Sequence, residues 1–594
     1  MKFEHTHQPG RLPRLLRNRV TSGRIGALPA VQASFARTMG RTHARSPFSF
    51  KVIFVALLIG MFGIVFRSVA LMQYSALPTG FDGSIVFRQK YLLEHFHFLV
   101  DRLETFSYWS GGVNTELGFY LMELINAAVL QISAWTTLSP KLLHQFILTA
   151  ALLTLSLYLF LRGSTRKLTA GDVAVVAGLV TLGSPVVINF LTGWNVAYAW
   201  LLLLCAAIVA TSNLAPAWRL GLTIAMAVIA PPLYHTFGFL FTAFIVFLWA
   251  LGKLVGFRHI VASPIPVLVC YFAYQIYVSV QFFGELAKGI ADVLTLEFLH
   301  REQNTPDIAS ASAGPLDLRY FHLLLFSLLA IPVAVAMFRY ATVLYARAKK
   351  KTIGYSADEI KYLTVITAMS MAIVFFAVMF GTKSGFGFLV NRGTMYMSIP
   401  AVLAISTELR YRPAHYRYVY PLTIIVIGMS LFSFWVQSST VYATNYATNV
   451  EVEGYTWLKA HLSEQDVVFT DFRLSGLFIA DGHFRVVGVT GQRGENTPQL
   501  LDNIYYQSTP ASITAAIDQI RTDRERQAAD YLFLSVLMQE DYPGLNGFGR
   551  MFPAAPARFF DALKASPDWE LVFSNSQSLI FHRKGIATAA GVHQ

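Results

Sequence analysis

One acidic residue near the start of the chain has the side chain and the position of a catalytic base. Asp82 lies in the segment 77–84 (LPTGFDGS), which follows the first long apolar run and leads into the amphipathic stretch 85–100. Partial desolvation at the edge of an apolar layer makes a carboxylate a better proton acceptor. The same carboxylate could instead cap the following helix by accepting hydrogen bonds from backbone N–H groups. The residues alone leave these two roles open.

A basic residue late in the chain could bind a phosphate. Arg392 lies in the stretch 391–400 (NRGTMYMSIP), and Lys383 precedes it. A guanidinium can form two parallel hydrogen bonds to a phosphate and can stabilise that phosphate as a leaving group. The alternative is an interfacial arginine whose charged end reaches lipid headgroups. Arg392 and Lys383 are therefore candidates for phosphate binding.

Other polar and aromatic residues could contact a substrate. Tyr108 and Trp109 could stack on a sugar ring, although aromatic residues also gather at membrane interfaces. Glu116 could supply a second acid, yet charged residues on amphipathic helices usually face water. Tyr234 and His235 could bind a phosphate or an acceptor, but a lone histidine at a helix turn is more often structural. The remaining candidates are Asn195, Glu297 and His300.

The composition places these residues in a membrane protein. Hydrophobic residues make up 54% of the 594 residues and charged residues 14%, and the mean hydropathy is +0.48. This is far more apolar than a soluble protein of that size. The net charge of +13 comes mostly from the tail before residue 52 and from short loops, so it indicates membrane topology rather than nucleic-acid binding. Cys205 and Cys270 both lie in apolar runs, and no disulfide framework is expected.

Twelve apolar runs have about the length that a membrane span needs. They lie near 51–72, 117–136, 142–161, 172–191, 196–213, 218–233, 236–252, 260–283, 320–344, 362–381, 388–407 and 417–436. The first run follows an arginine-rich tail and lacks the cleavage site of a signal peptide, which predicts a retained spanning helix.

The run 117–135 decides the orientation of the others. If it does not cross the membrane, the basic loops between the later runs face the same side as the N-terminal tail. If it crosses, all of these loops move outside, against the positive-inside rule. Its polar residues suit a helix at the outer interface, and they are Glu116, Glu123, Asn126 and Gln131. We therefore expect eleven spans, a cytoplasmic N terminus and interfacial helices in the first outer loop.

The pattern divides the chain into three parts. We expect a basic cytoplasmic tail over 1–50, a transmembrane domain over 51–440 with an outer loop over 73–140, and an extracytoplasmic α/β domain over 441–594. Short β-type runs alternate with helical stretches in the last part, and they are Val467–Phe472, Arg485–Val489, Tyr531–Leu537, Glu570–Phe573 and Ser578–His582. This part lacks a glycine-rich phosphate loop. No close set of His, Cys and carboxylate residues in the chain fits a tight zinc site.

This layout resembles that of the C-type glycosyltransferases (GT-C), membrane enzymes that take sugars from polyprenyl-phosphate donors. The shared features are a basic tail, one helix, an outer loop that opens with an acidic residue, many spans and an outer α/β domain. The stretch 391–400 also looks like the family's Arg-aromatic-Pro pattern at the outer start of a late helix. The resemblance implies that Asp82 is the catalytic base and that Arg392, with Lys383, binds the donor phosphate. Asn195 departs from the charged residue that many relatives have in this region, which argues against a metal site there.

The resemblance implies an inverting transfer reaction. A sugar would pass from a polyprenyl-phosphate lipid to an extracytoplasmic glycan, lipid or protein acceptor, with no nucleic acid as a partner. It also implies an integral protein of the bacterial inner membrane, with the N terminus in the cytoplasm and the C-terminal domain outside. The sequence leaves open whether a divalent cation, Mg²⁺ or Mn²⁺, takes part.

Three alternative functions stay open from the sequence. A transporter or flippase of lipid-linked glycans would carry charged residues in mid-span or paired Gly and Pro breaks, whereas the runs here are mostly uninterrupted. A polymerase or ligase of lipid-linked glycans would use the same class of donor. A catalytically silent relative would bind glycan, with Asp82 turned away from any cavity.

Overall fold

The computed structural model describes part of the chain. The described residues are 50–71, 120–136, 140–162, 168–183, 195–233, 235–257, 261, 263–278, 287, 291, 294–295, 318–352, 354–384, 394–445, 447–470, 472–481, 483, 485–487, 504–507, 509–519, 529–539 and 555–585. The chain divides into two units, residues 1–53 and residues 54–594. Helix α1 begins in the first unit, and all other described elements belong to the second.

Twelve α-helices make up the described part of the chain before residue 446. They are α1 (Phe50–Leu71), α2 (Tyr120–Thr136), α3 (Pro140–Leu161), α4 (Ala170–Thr181), α5 (Asn195–Thr211), α6 (Pro216–Leu233), α7 (His235–Leu254), α8 (Ile265–Val278), α9 (Leu318–Ala348), α10 (Ala357–Ser384), α11 (Thr394–Tyr411) and α12 (Tyr416–Asn445). A 3₁₀ helix, Pro413–His415, joins α11 to α12. Each of the twelve apolar runs expected from the sequence overlaps one of these helices in the described residues.

Several of these helices are suited to a lipid environment. Six contain stretches long and apolar enough to cross a membrane, over Lys51–Ser68, Leu142–Leu161, Pro216–Leu233, Phe237–Leu254, Leu323–Ala348 and Ala357–Phe376. Three further apolar helices are shorter. Phe54, Leu57 and Leu58 of α1 are each more than half exposed, and Phe338 of α9 is 70% exposed. Such outward apolar faces match lipid chains rather than water. The protein is a polytopic helical membrane protein, as predicted, and the number of eleven spans stays a prediction.

Arginine side chains join helices at one end of the bundle. Each of three arginines donates to backbone carbonyls at or just beyond the C-terminal end of a different helix. The pairs are Arg162 with Ile208, Arg347 with Val255, and Arg410 with Leu159 and Phe160. The last carbonyls of a helix lack partners within that helix and interact favourably with a cation. We call this the basic end, where α3, α5, α7, α9 and α11 finish.

The helices that run in the other direction begin at the basic end. Tyr420 near the start of α12 donates to Asp172 near the start of α4, at 3.0 Å. Lys361 near the start of α10 donates to Asn213, between α5 and α6, at 3.4 Å. Helix α12 has 30 residues, so it is about 45 Å long at about 1.5 Å per residue. The chain therefore leaves α12 toward the opposite end of the bundle.

Buried ion pairs hold the basic end together. Glu408 of α11 pairs with Arg339 of α9 and lies 2.9 Å from His415. Glu359 of α10 pairs with Arg412 at 3.3 Å. The side chains of Glu408 and Glu359 are only 8% and 6% exposed, so each carboxylate depends on its cationic partner for stability. The network ties α9, α10 and α11 together.

The first and third helices meet at the opposite end. Arg67, near the end of α1, contacts Gln145 and Thr149, near the start of α3. The end of α1 and the first half of α3 therefore lie at the same end of the bundle. Helix α2, with 17 residues, is the one helix described in that segment. Whether the run 117–135 crosses the membrane stays a prediction.

The C-terminal part folds around a sheet that has five strands in the described residues. Its elements are α13 (Asn449–His461), β1 (Val468–Thr470), α14 (Phe472–Ala480), β2 (Val486–Val487), α15 (Pro510–Gln519), β3 (Tyr531–Ser535), a 3₁₀ helix (Val536–Met538), α16 (Ala557–Lys564), β4 (Trp569–Ser574) and β5 (Ser578–Arg583). The strand order is β2-β1-β3-β5-β4. Strand β1 is parallel to β2 and β3, and β5 is antiparallel to β3 and β4. Each of the five expected β-type runs coincides with one of these strands.

Both faces of the sheet are covered. Strand β3 is buried at every position, and successive side chains of a strand point to opposite faces. Leu532 and Leu534 belong to a core shared with α15 and α16. Tyr531 and Phe533 belong to a second core shared with α13 and α14. The C-terminal part is thus a small α/β domain, as predicted. Its sheet lies between two helical layers.

Candidate functional site

The structure describes the backbone of three of the eleven predicted site residues. Asn195 is the first residue of α5, His235 is the first residue of α7, and Lys383 is the penultimate residue of α10. The predicted residues that lie outside the described part of the chain are Asp82, Tyr108, Trp109, Glu116, Tyr234, Glu297, His300 and Arg392. Their roles stay predictions.

A chain of ring contacts shows which helix ends meet near these positions. Phe239 in the first turns of α7 lies 6.2 Å from Phe376 in the second half of α10. Phe376 lies 5.9 Å from Tyr396 in the first turn of α11. Phe239 also lies 6.2 Å from Tyr271 in the middle of α8. The start of α7, the later part of α10 and the start of α11 therefore lie near one another at the opposite end.

A buried polar cluster lies at the same end. Arg67 is fully buried, and its Nη1 donates to the carbonyl of Thr181, the last residue of α4, at 2.7 Å. Its Nη2 donates to Oγ1 of Thr149 at 2.8 Å, and its Nε to Oε1 of Gln145 at 3.4 Å. We call these four residues the Arg67 cluster. It joins α1, α3 and α4 at the opposite end of the bundle.

A second hydrogen bond extends this contact to α5. Nδ1 of His144 lies 2.7 Å from the hydroxyl of Tyr198, and both side chains are buried. His144 is adjacent in sequence to Gln145 of the Arg67 cluster, and Tyr198 lies one turn after Asn195 in α5. The start of α5, with the predicted site residue Asn195, is thereby tied to the start of α3.

Two glycines allow α1 to approach its neighbours closely. A Cβ atom at Gly60 would lie 3.2 Å from the side chain of Leu153. A Cβ atom at Gly63 would lie 3.3 Å from the side chain of Leu182 and 3.4 Å from Nη1 of Arg67. Because the distances to Leu153 and Leu182 are shorter than most Cβ contacts, larger residues at Gly60 and Gly63 would push α1 away from α3 and α4. The glycines therefore help to bring Arg67 within reach of its partners.

Arg67 was not among the residues that the sequence predicted for the site. It is nevertheless the one charged residue in the apolar run 52–71. Ionisable residues inside membrane spans are costly to bury and commonly mark functional positions. That signal could have identified Arg67, although its partners, 78 to 114 residues away in the chain, could not be read from the sequence.

A small cavity between α3, α4, α5 and α11 is too narrow for a sugar. Its volume is about 20 Å³, and its lining includes Ser156, Trp200 and Ser398, which leaves room for about one water molecule. The indole N–H of Trp200 has no hydrogen-bond partner among the described residues. The described part of the chain contains no group of three or more His, Cys, Asp and Glu side chains that could bind a metal.

The titratable groups near the start of β1 in the C-terminal domain have structural roles. Burial raises the pKa of Asp530, whose carboxylate accepts a hydrogen bond of 2.8 Å from the backbone N–H of Val467. Burial lowers the pKa of His483, against the opposing effect of contacts with Asp466. Asp530 joins the start of β3 to the start of β1. This arrangement fixes the sheet and does not by itself suggest a reaction.

Most of the chain is similar to solved structures of other proteins. One is the archaeal oligosaccharyltransferase AglB from Archaeoglobus fulgidus in complex with an inhibitory peptide and a dolichol-phosphate, at 10% identity and a TM-score of 0.45, covering 81% of this chain and 69% of that one. Another is ArnT from Cupriavidus metallidurans in the apo state, at 11% identity and a TM-score of 0.37, covering 88% of this chain and 97% of that one. No family model and no curated protein matches the chain. The similarity assigns no role to any residue.

Proposed function

We propose that this protein is a membrane glycosyltransferase that moves a sugar from a polyprenyl-phosphate donor to an extracytoplasmic glycan, lipid or protein acceptor, with inversion. The proposal rests first on the GT-C-like layout of the sequence, with an acidic first loop and a late arginine. The oligosaccharyltransferase similar to this chain was solved with a dolichol-phosphate, which is a lipid of the proposed donor class.

One observation supports the proposal most directly. The end of α1 meets the start of α3 through Arg67, and the start of α11 lies near the start of α7 and the later part of α10. Asp82 follows the end of α1 by 11 residues, and Arg392 precedes the start of α11 by two. The two helix ends nearest in sequence to the proposed base and the proposed phosphate ligand therefore both lie at the opposite end of the bundle.

In the proposed reaction, Asp82 accepts the proton of an acceptor hydroxyl as the oxygen attacks the anomeric carbon of the donor sugar. The bond from that carbon to the phosphate oxygen breaks, and the polyprenyl phosphate leaves with its negative charge. Arg392 and Lys383 stabilise this charge through charge-assisted hydrogen bonds. Lipid around the bundle holds the prenyl chain, so the phosphate stays at the depth of the helix ends.

The test uses the full chain in lipid nanodiscs with synthetic polyprenyl-phosphate-linked hexoses and pentoses that carry a radiolabel, and an envelope glycan extract as acceptor. Asp82→Asn and Arg392→Ala should each reduce label transfer by at least about 100-fold, the usual effect of removing a catalytic base or an oxyanion ligand. Asp101→Asn, in the same loop, and Arg417→Ala, at the basic end, are the matched controls and should transfer normally.

The proposal is contradicted if the Asp82→Asn and Arg392→Ala proteins fold correctly and transfer the labelled sugar as fast as the wild type. Movement of intact labelled lipid across the membrane without any transfer would indicate a transporter instead.

A further inference from the structure

We infer that Arg67 is a positioning residue for the transfer reaction: by tying the end of α1 to α3 and α4, it fixes where the segment with Asp82 leaves the bundle. The inference rests on the proposed function for its catalytic consequence. Its structural content, the fixed exit of the chain after α1, depends only on the contacts of the Arg67 cluster.

The three donor groups of Arg67 point to three different acceptors. Nη1 bonds to the carbonyl of Thr181, Nη2 to the hydroxyl of Thr149 and Nε to the amide oxygen of Gln145. A guanidinium is planar, and its N–H groups diverge at fixed angles. Satisfying all three acceptors therefore fixes both the rotation of α1 about its axis and its shift along α3.

Stability alone does not account for an arginine at this position. The other arginines that cap neighbouring helices lie at the basic end, where the positive-inside rule already places cations. Arg67 lies at the opposite end and is fully buried, so its charge carries a desolvation cost that a neutral cap would avoid. The feature that a small neutral cap could not supply is the simultaneous contact with α3 and α4.

The cluster also touches the helix that begins with another predicted site residue. His144 and Gln145 are adjacent on α3, and His144 is bonded to Tyr198 of α5. A shift of α1 relative to α3 therefore disturbs the start of α5, where Asn195 lies. The end of α1 and the start of α5 are thus connected through adjacent residues of α3.

The kinetic test compares Arg67→Gln and Arg67→Lys with Arg347→Gln, which removes a helix-capping arginine at the basic end. Arg67→Gln should lower kcat by about 100-fold in protein that is folded by size exclusion, because a misplacement of about 1 Å in a reacting group has that effect. KM for the donor should be unchanged. Arg67→Lys should recover part of kcat, since it keeps a charge but not the three-way contact. Equal losses of kcat in Arg67→Gln and Arg347→Gln would overturn the inference.

A distance measurement separates this inference from the proposed function. Spin labels at Ser84→Cys and Leu214→Cys, in the full chain with Cys205 and Cys270 replaced by Ala, report the position of the first loop relative to the bundle. The distance distribution should broaden in Arg67→Gln and stay as in wild type in Arg347→Gln. If the distribution broadens in Arg67→Gln but the wild-type chain transfers no sugar, the proposed function is refuted. The structural part of the inference, the fixed exit of the chain after α1, is then still supported. An unchanged distribution would overturn the positioning role whatever the activity.

Discussion

Arginine residues in the described part of the bundle serve as caps between helices as well as topology signals. Arg162, Arg347 and Arg410 donate to carbonyls at or just beyond the ends of neighbouring helices at the basic end. Arg67 does the same at the opposite end. Water cannot satisfy these carbonyls inside a membrane, so a long cationic side chain from an adjacent helix is a suitable partner. The same residue type therefore joins neighbouring helices at both ends of the bundle.

His483 should make the C-terminal domain sensitive to acid. Burial places its pKa below the ordinary value, and its Nε2 has no hydrogen-bond partner among the described residues. Because the pKa of His483 is lower in the folded than in the unfolded state, its contribution to folding stability is fully present at pH values above the unfolded-state pKa of about 6.5. This stability is lost as the pH falls through the folded pKa. Hydrogen exchange of Tyr531–Ser535, corrected for intrinsic rates, should accelerate more on acidification in the wild type than in His483→Gln.

The control for this prediction is the exposed His461 on α13. His461→Gln should keep the wild-type response to pH, because the side chain of His461 is exposed at the end of α13 and is not part of the buried core. Identical pH responses in the wild type and in His483→Gln would show that another group causes the sensitivity.

The candidate site could be predicted from the sequence only in part. Asp82 and Arg392 have the residue type and the position relative to apolar runs that the chemistry needs, and both features are local. The Arg67 cluster depends on contacts over 78 to 114 residues, and the packing that creates them leaves no local pattern. A charged residue within an apolar run shows that a partner is needed, but it does not show which helix supplies the partner.

At the scale of elements, periodicity and composition predicted the helices and strands well. The runs 417–436 and 362–381 correspond to α12 and α10, which the structure extends at both ends to 30 and 28 residues. The additional turns contain polar residues such as Lys361 and Asp358, which pair with each other at the basic end. Hydropathy locates the part of a helix that contacts lipid, whereas caps and ion pairs decide where it ends.

The contact between α6 and α7 should tolerate no side chain at Gly238. A Cβ atom there would lie 2.9 Å from the Cα of Pro231, a backbone atom that cannot rotate away. Gly238→Ala should therefore destabilise the bundle by about 1–3 kcal/mol and lower the midpoint of thermal unfolding in detergent. Gly221→Ala on α6 has open space around it and should leave the midpoint unchanged or raise it, since alanine is favoured in helices. Equal midpoints for the two variants would contradict the close contact.

In the whole bundle, the positions of the helix ends favour the end opposite the basic end for the proposed chemistry. The contact of Arg67 with Gln145 and Thr149 places the end of α1 and the first half of α3 at the opposite end. Helix α12 starts at the basic end and is long enough to reach the opposite one. The ends of α1 and α12, after which the chain continues to the first loop and to the C-terminal domain, therefore both lie at the opposite end. The basic end would face the cytoplasm by the positive-inside rule.

We propose that the first loop and the C-terminal domain lie together on the outside of the cell. Single cysteines at Ser84, Glu453 and Lys350, in a chain with Cys205 and Cys270 replaced by Ala, can be treated on intact cells with a membrane-impermeant maleimide. Positions 84 and 453 should be labelled at once, and position 350 only after the membrane is permeabilised. Labelling of 84 and 453 from opposite sides, or of 350 alone from outside, would contradict the account.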